Sequence, residues 1–293
     1  ASLEARAKQG KCQYVYFASM QDLRGSELVG GNFDKNNEVF ATAWDCIIVD
    51  EAHEGTQTEL GKAVMQELTK ANTKILRLSG TPFNLLDDFK EDEIYTWDYV
   101  MEQRAKASWD LTHFGDPNPY ASLPTMNIYT YDLGRLLHEF VDEDVAFNFR
   151  EFFRVNDNGT FTHEKDVKAF LNLISKEDKD SCYPFANEEY RNIFRHTLWM
   201  LPGVKEAHAM SALLQSHPVF QHFKVVNVAG DGDEDEESKD ALTAVEEAIG
   251  KDPDATRTIT LSCGRLTTGV SVKAWTGVFM LSGSYNTAAS SYM

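Results

Sequence analysis

Two short apolar runs, WDCIIVD (44–50) and KILRLSG (74–80), flank a stretch in which Leu60, Val64, Met65 and Leu68 recur at helical spacing. Strands that are apolar throughout are buried on both faces, and buried strands connected by helices form a parallel α/β sheet. QYVYFA (13–18) reads as a further strand, with a helix start at Ser19 and Gln21. The same rhythm returns after about residue 190. HTLWMLP (196–202), a helix through about 215, FKVVNVAG (223–230), a helix at 238–250, TRTITLSC (256–263) and TGVFMLS (276–282) predict a second parallel sheet. Between the two, the sequence is polar, aromatic and acidic, with turn signals at GDPNP (115–119) and NDNG (156–159). Helices are expected there at 92–109, 133–153 and 163–175, with FNFREFF (147–153) packing its aromatics.

A hydrophobic fraction of 42% with 12% aromatic residues supplies a sizeable core for 293 residues, which excludes disordered, collagen-like and mucin-like chains. No stretch approaches the roughly 18 consecutive apolar residues of a membrane span, and the opening ASLEARAKQG lacks the basic-then-apolar order of a signal peptide. No membrane partner is expected. Cys12, Cys46, Cys182 and Cys263 form no CxxC pair, and two of them lie inside apolar runs, which fits a reduced, cytoplasmic setting. The net charge of −18 counts against nucleic acid, whose binding rests on Lys and Arg neutralising phosphates. Its distribution softens that objection: residues 84–195 carry 23 acidic and 12 basic side chains, against 11 and 9 in 1–83 and 12 and 7 in 196–293. With that charge, the aromatics of the middle segment are expected to pack against the two α/β units rather than to stack on bases. The acidic run DGDEDEE (231–237) reads as a solvated loop before a helix.

The string with the most chemistry is CIIVDEAH (46–53), a buried strand that ends in two adjacent carboxylates. Ligands of α/β proteins bind at the carboxyl edge of the sheet. In phosphoryl transfer one acid can hold Mg²⁺ through its water shell while the next orients and deprotonates the attacking water. The plainer alternative is that Asp50 and Glu51 merely favour a helix N-terminus. A second string, LSGTPF (78–83), also ends an apolar strand, so its hydroxyls and backbone can face the same edge as Asp50 and His53.

DEAH followed by SGTP at this spacing resembles motifs II and III of superfamily 2 helicases and translocases, and LSCGRLTTGVSVKAWTGVFML (261–281) is similar to their motif V. Together with YFASMQDLRG (16–25) and YTWDYVMEQRAKASW (95–109), the phrasing looks most like the bacterial and phage helicases of restriction-modification systems. The resemblance spans residues 16–281 with a loosely covered middle. It implies an α/β fold of two RecA-like parallel-sheet units, the first incomplete, with a mainly helical intervening segment. The expected divisions are a partial first domain at 1–90, a helical insertion or linker at 91–192 and a second domain at 193–293. It also implies ATP and Mg²⁺ as cofactors, DNA as a partner, and methyltransferase or nuclease subunits as companions. Carried over residue by residue, Asp50 takes the Mg²⁺ role through water and Glu51 the general-base role, while His53, Ser79 and Thr81 link hydrolysis to domain movement. Ser19 and Gln21 fall where the family touches the nucleic-acid backbone, and Thr267, Thr268 and Gly269 where motif V meets DNA and nucleotide. Arg265 is read either as an arginine finger or as a surface or phosphate-facing charge. Ser271 stands where many members have Asp, which leaves a ribose contact there unassigned.

The family's phosphate-binding loop, GxxxxGK[ST], would precede the DEAH strand, because its NH groups and Lys cradle the β- and γ-phosphates. No such string occurs before Cys46. GTQTELGKA (55–63) has five residues between its glycines, Ala in place of Ser or Thr, and the wrong position relative to the acids, so it is not read as that loop. No arginine-bearing motif VI follows TGVFML. The chain therefore reads as an internal fragment, inactive as an ATPase by itself. RVNDNGTFTHEK (154–165) places Arg154 and Lys165 where a calcium loop needs acids, and is read as a turn. Neither zinc spacing nor GxSxG is present. The expected activity of the parent protein is ATP-dependent translocation on, or unwinding of, DNA. Two alternatives stay open: a non-catalytic fragment whose acidic middle docks a methyltransferase or nuclease subunit, and a nucleotide-dependent switch that does not move on DNA.

Overall fold

A computed structural model describes residues 15–52, 58–80, 82, 85–130, 147–230, 235–267 and 270–283. The fold is α/β with parallel sheets, and the chain divides into two units, Ala1–Asn127 and Ile128–Met293.

The first unit opens with α1 (Met20–Arg24), which Ser19 starts by accepting a hydrogen bond from Asp22 N at 3.0 Å. The short α2 (Asn37–Ala41) leads into β1 (Cys46–Val49), then α3 (Glu59–Leu68) and β2 (Lys74–Arg77). The two strands are parallel, with Cys46 opposite Lys74 and Ile48 opposite Leu76. On α3, Val64 and Leu68 sit one turn apart and are buried with Leu23, Val29, Val39 and Phe40. Ile47 joins that core, so the next residue, Ile48, faces the other side of the sheet. There Ile48 and its partner Leu76 remain 62% and 48% exposed. Parallel strands are normally covered on both faces, so this pair is an uncovered surface of the two-stranded sheet.

The strand expected over 13–18 is not seen at 15–18, where the chain is unpaired among the described residues and Val15 and Phe17 are exposed. A strand needs a neighbouring edge, and among the described residues the contact made here is that of Tyr16 with the ring of Trp44, at 6.0 Å. Beyond β2 a helix starts at residue 99 rather than 92, since 91–93 form a single 3₁₀ turn. This helix, α4 (Tyr99–Thr112), is capped by the Asp98 carboxylate accepting from Met101 N at 2.8 Å.

The second unit runs α5 (Phe149–Phe152), α6 (Glu164–Ser175), α7 (Glu188–Ile193), β3 (His196–Met200), α8 (Val204–Ser216), β4 (Lys224–Asn227), α9 (Asp235–Ile249), β5 (Thr258–Ser262) and β6 (Gly277–Met280). The strands lie in the order β4-β5-β3-β6, all parallel. Alternate residues sort to the two faces. Trp199, Leu201, Ile259 and Leu261 meet α8 on one face, whereas Val228 packs with Val245 and Ile249 of α9, and Leu198 and Met200 with Trp275, on the other.

The helical stretch before β3 shares the first of these cores: Phe152, Phe153, Phe170 and Leu171 are buried together with Trp199 and Met210. Phe185 is its hub, with ring centroids of Phe220, Phe279, Phe223 and Trp199 within 5.0 to 5.9 Å. Ion pairs add to the join. Arg257, just before β5, pairs with Glu188 of α7 and holds that carboxyl below its usual value. FNFREFF thus packs as its composition predicts, although its helix begins only at Phe149; most of the helix expected at 133–153 falls outside the described residues. The aromatics of 95–114 depart from the expectation. Tyr95 and Phe114 are 86% and 98% exposed, because this segment has no core of its own to receive them.

NDNG forms a turn, with Gly159 at φ +77° and Asn156 Oδ1 accepting from Asn158 N at 3.0 Å. A buried histidine opens β3. His196 is 2% exposed; its Nε2 donates to Pro253 O at 2.8 Å and its Nδ1 accepts from the Thr258 hydroxyl at 2.9 Å. Burial pushes its imidazole below the usual value, and does the same to His217. The unfolded chain therefore binds protons that the native unit refuses, so stability is full above about pH 6.5 and falls as pH drops through that value. Urea unfolding of the second unit at pH 7.5 and 5.5 should show lower stability at 5.5, with a smaller loss in His196→Gln. An unchanged or higher stability at 5.5 would contradict the buried neutral ring.

Candidate functional site

The carboxyl edge of the β1–β2 pair is built by two backbone hydrogen bonds. Leu78 N donates to Val49 O at 2.8 Å, and Ala52 N donates to Leu78 O at 2.9 Å. The chain leaving β1 is thereby laced to the chain leaving β2, with Asp50 and Glu51 in the turn between and Ser79 next to the lacing residue. Ala52 is wholly buried with Val49 and Leu85, and this anchor leaves the two preceding carboxylates on the exposed edge. Asp50 Oδ1 accepts from Glu51 N at 3.0 Å, which fixes one acid against the backbone of the other.

Glu51 adopts φ +45°, a left-handed conformation costing roughly 1–2 kcal/mol for a residue with a Cβ. The Ala52 hydrogen bond and burial offset that cost. Strained backbone held by its surroundings is found preferentially at functional sites. After Ser79, Arg77 reaches forward to Asp88 at 3.7 Å and lies over the Phe89 ring, tying the segment beyond β2 back to the strand. His53 and Thr81 lie outside the described residues.

Ser19 and Gln21 are exposed at the start of α1. The Ser19 oxygen serves as the helix cap, and Asp22 braces the same turn by accepting from Lys35 Nζ at 2.6 Å and Asn36 Nδ2 at 2.9 Å. Those two donors hold the Asp22 carboxyl below its usual value. Nothing in the spacing of Asp22 and Lys35 along the chain signals this brace. GTQTELGKA is not a loop over its described part: Thr58 caps α3, and Gly61 to Ala63 are helical.

In the second unit, the chain leaving β5 winds into a compact loop at the carboxyl edge of that sheet. Ser262 Oγ donates to Arg265 O at 2.6 Å and accepts from Gly264 N at 3.2 Å. Thr267 is 3% exposed and its hydroxyl donates to Gly264 O at 2.5 Å, so it braces the loop. Leu266 is buried at φ +60°. The Arg265 guanidinium lies against Gly230, in the chain leaving β4, where a Cβ would overlap it. A side chain at residue 230 would need the flexible end of Arg265 to shift. Thr268 and Gly269 lie outside the described residues. Asp50, Glu51 and Ser79 are thus gathered at the carboxyl edge of one sheet, and Arg265 and Thr267 at that of the other.

No solved structure matches the chain. A protein of Mycoplasma pneumoniae that carries the name of a type II restriction enzyme and methyltransferase C-terminus is 25% identical to it, an alignment covering 92% of this chain. The chain spans only 46% of that relative's length. Residues 2–84, which include the β1–β2 edge, match the family described as type III restriction enzyme, res subunit. By both comparisons, the chain is similar to restriction-modification proteins, and its first unit to a restriction subunit.

Proposed function

We propose that the chain is part of an ATP-dependent DNA helicase or translocase of superfamily 2 that works in restriction-modification. The observation that carries this reading is the lacing of Val49–Ala52 to Leu78, which sets adjacent carboxylates at the carboxyl edge of a parallel sheet beside Ser79. In this reading Glu51 accepts the proton of a water attacking the γ-phosphorus of ATP, as the bond to the β-phosphate oxygen breaks and ADP leaves. Asp50 would be the residue that holds Mg²⁺. The donors fit: Mg²⁺ takes hard oxygen ligands, commonly from one or two carboxylates plus phosphates, and keeps several waters. No cluster of three or more His, Cys, Asp or Glu suited to a metal occurs among the described residues. Bound there, the ion would neutralise charge developing on the phosphates.

His53, Ser79 and Thr81 are assigned to coupling hydrolysis to movement. Ser19, Gln21, Thr268 and Gly269 are assigned to DNA and nucleotide, with Thr267 and Arg265 shaping the motif V loop. Residues 1–90 then belong to a first RecA-like domain, 193–293 to a second, and 91–192 to the segment between them. The uncovered Ile48–Leu76 face supports a first sheet that more polypeptide covers and extends, and the phosphate-binding loop would come with it. Methyltransferase or nuclease subunits are the companions this setting implies. Phosphate release by a polypeptide joining this chain to such a loop, measured with and without DNA, tests the reading. DNA stimulation is the expected result; equal rates would favour a nucleotide switch that does not move on DNA.

A further inference from the structure

Residues 86–130 fold without a single buried residue. The segment is nonetheless well tied to itself. Gln103 Nε2 and Lys106 Nζ of α4 donate to the carbonyls of Pro124 and Leu123 at 3.0 and 2.5 Å, and Met126 N donates to the Tyr99 hydroxyl at 2.7 Å. Trp109 stacks on His113 with centroids 3.7 Å apart and meets Tyr120 edge-on at 5.8 Å. These bonds hold a helix and its returning chain as one arm, and they engage Gln103, Lys106 and the Tyr99 hydroxyl within it. Its large apolar groups point out: Tyr95 is 86% exposed, Leu111 86%, Phe114 98%, Val100 51% and Trp97 47%. Isolated apolar side chains on a surface need no explanation, but five on one coreless arm mark an interaction surface.

The charge around them selects the occupant. The arm carries nine carboxylates and three basic side chains. Nucleic acid and anionic membranes are repelled by such a surface, and a second copy of a chain with net charge −18 is repelled as well. A permanently docked neighbour would favour a face depleted in charge, as obligate interfaces are. Acids interspersed with aromatics keep the arm soluble when free and steer an oppositely charged partner onto it. We propose that residues 86–130 are a docking arm for a separate protein that presents a basic surface around an apolar pocket, bound reversibly. This does not depend on the nucleotide chemistry of the β1–β2 edge.

Three synthetic helical peptides serve as probes of the whole chain: one with a leucine face and lysines elsewhere, one with the same leucines and glutamates, and one with lysines and serines replacing leucines. The lysine–leucine peptide should bind, should weaken with added salt, and should lose at least about tenfold in affinity against the triple variant Tyr95→Ser, Leu111→Ser, Phe114→Ser. All three positions are exposed, and the variant's thermal unfolding should match that of the parent chain. Hydroxyl-radical footprinting supplies the second measurement: Tyr95 and Phe114 should be labelled in the free chain and protected by the lysine–leucine peptide alone. Equal binding by the triple variant would overturn the proposal. So would equal binding by the glutamate–leucine peptide, or by the lysine–serine peptide, which reports charge attraction only. Absence of labelling at Tyr95 and Phe114 in the free chain would also overturn it, since the arm would then already be covered.

Discussion

Purified residues 1–293 are expected to release no phosphate from ATP above background, with or without DNA. The edge that bears Asp50 and Glu51 supplies acids, and the sequence offers no GxxxxGK[ST] loop to wrap the β- and γ-phosphates. That loop contributes several charge-assisted hydrogen bonds and a lysine charge, at about 1.5–3 kcal/mol per bond. Loss of three such bonds, on the order of 5 kcal/mol, moves a micromolar nucleotide site into the millimolar range or beyond. An arginine finger, where one operates, adds on the order of a thousandfold or more to the rate, and no arginine motif follows β6 in this sequence. A phosphate-release assay with Mg²⁺ decides the matter. Robust turnover that disappears in Asp50→Ala would mean that another element of the chain cradles the phosphates.

Phe185→Ala is expected to be the most damaging single substitution in the second unit. The ring is fully buried and touches aromatic side chains from three directions: Phe220 and Phe223 ahead of β4, Phe279 on β6 and Trp199 on β3. Truncating such a Phe removes its transfer free energy and leaves a cavity, together about 3–5 kcal/mol. Edge-to-face pairs, as with Phe220 at 5.0 Å and 82°, make up part of that loss. Domains are stable by only about 5–15 kcal/mol, so the unit would be left near its unfolding threshold. Urea unfolding followed by near-ultraviolet dichroism reads the change. A loss below about 1 kcal/mol would show that the helical segment before β3 does not share a core with the sheet.

How far the fold was legible follows from what each signal depends on. Among the described residues six strands are seen, and all fall inside apolar runs; β3 and β5, buried at every position, carry that burial in their own composition, whereas β1 and β2 keep the same apolar character with one face uncovered. QYVYFA has the same composition but no strand at 15–18: composition reports the tendency to be buried, and pairing requires an edge that the run itself cannot supply. The aromatics divide for the same reason. Phe152 and Phe185 find the face of the second sheet, whereas Tyr95 and Phe114, in an equally aromatic stretch, find nothing within their arm.

At the candidate site, the position of Asp50 and Glu51 could be read because they end a strand. Their presentation could not. The left-handed backbone of Glu51 and the anchoring of Ala52 depend on Leu78, which is brought alongside only by the parallel pairing of β1 with β2. The knot after β5 shows the same limit. Thr267 fits a ligand-contacting motif by sequence, while its hydroxyl is committed to Gly264 and its side chain is buried.

The most direct measurement of the central claim is Glu51→Gln in a polypeptide that joins this chain to a phosphate-binding loop. Gln preserves size and hydrogen-bonding capacity but cannot take the proton of the attacking water, and a positioned base of this kind is worth about a hundredfold to ten-thousandfold in rate. Nucleotide affinity should change little, as judged by a fluorescent ATP analogue, since the phosphate cradle is untouched. Asp50→Ala should weaken Mg-dependent affinity as well as turnover. The account predicts tight binding with almost no phosphate release for Glu51→Gln. Wild-type turnover in that variant would contradict it.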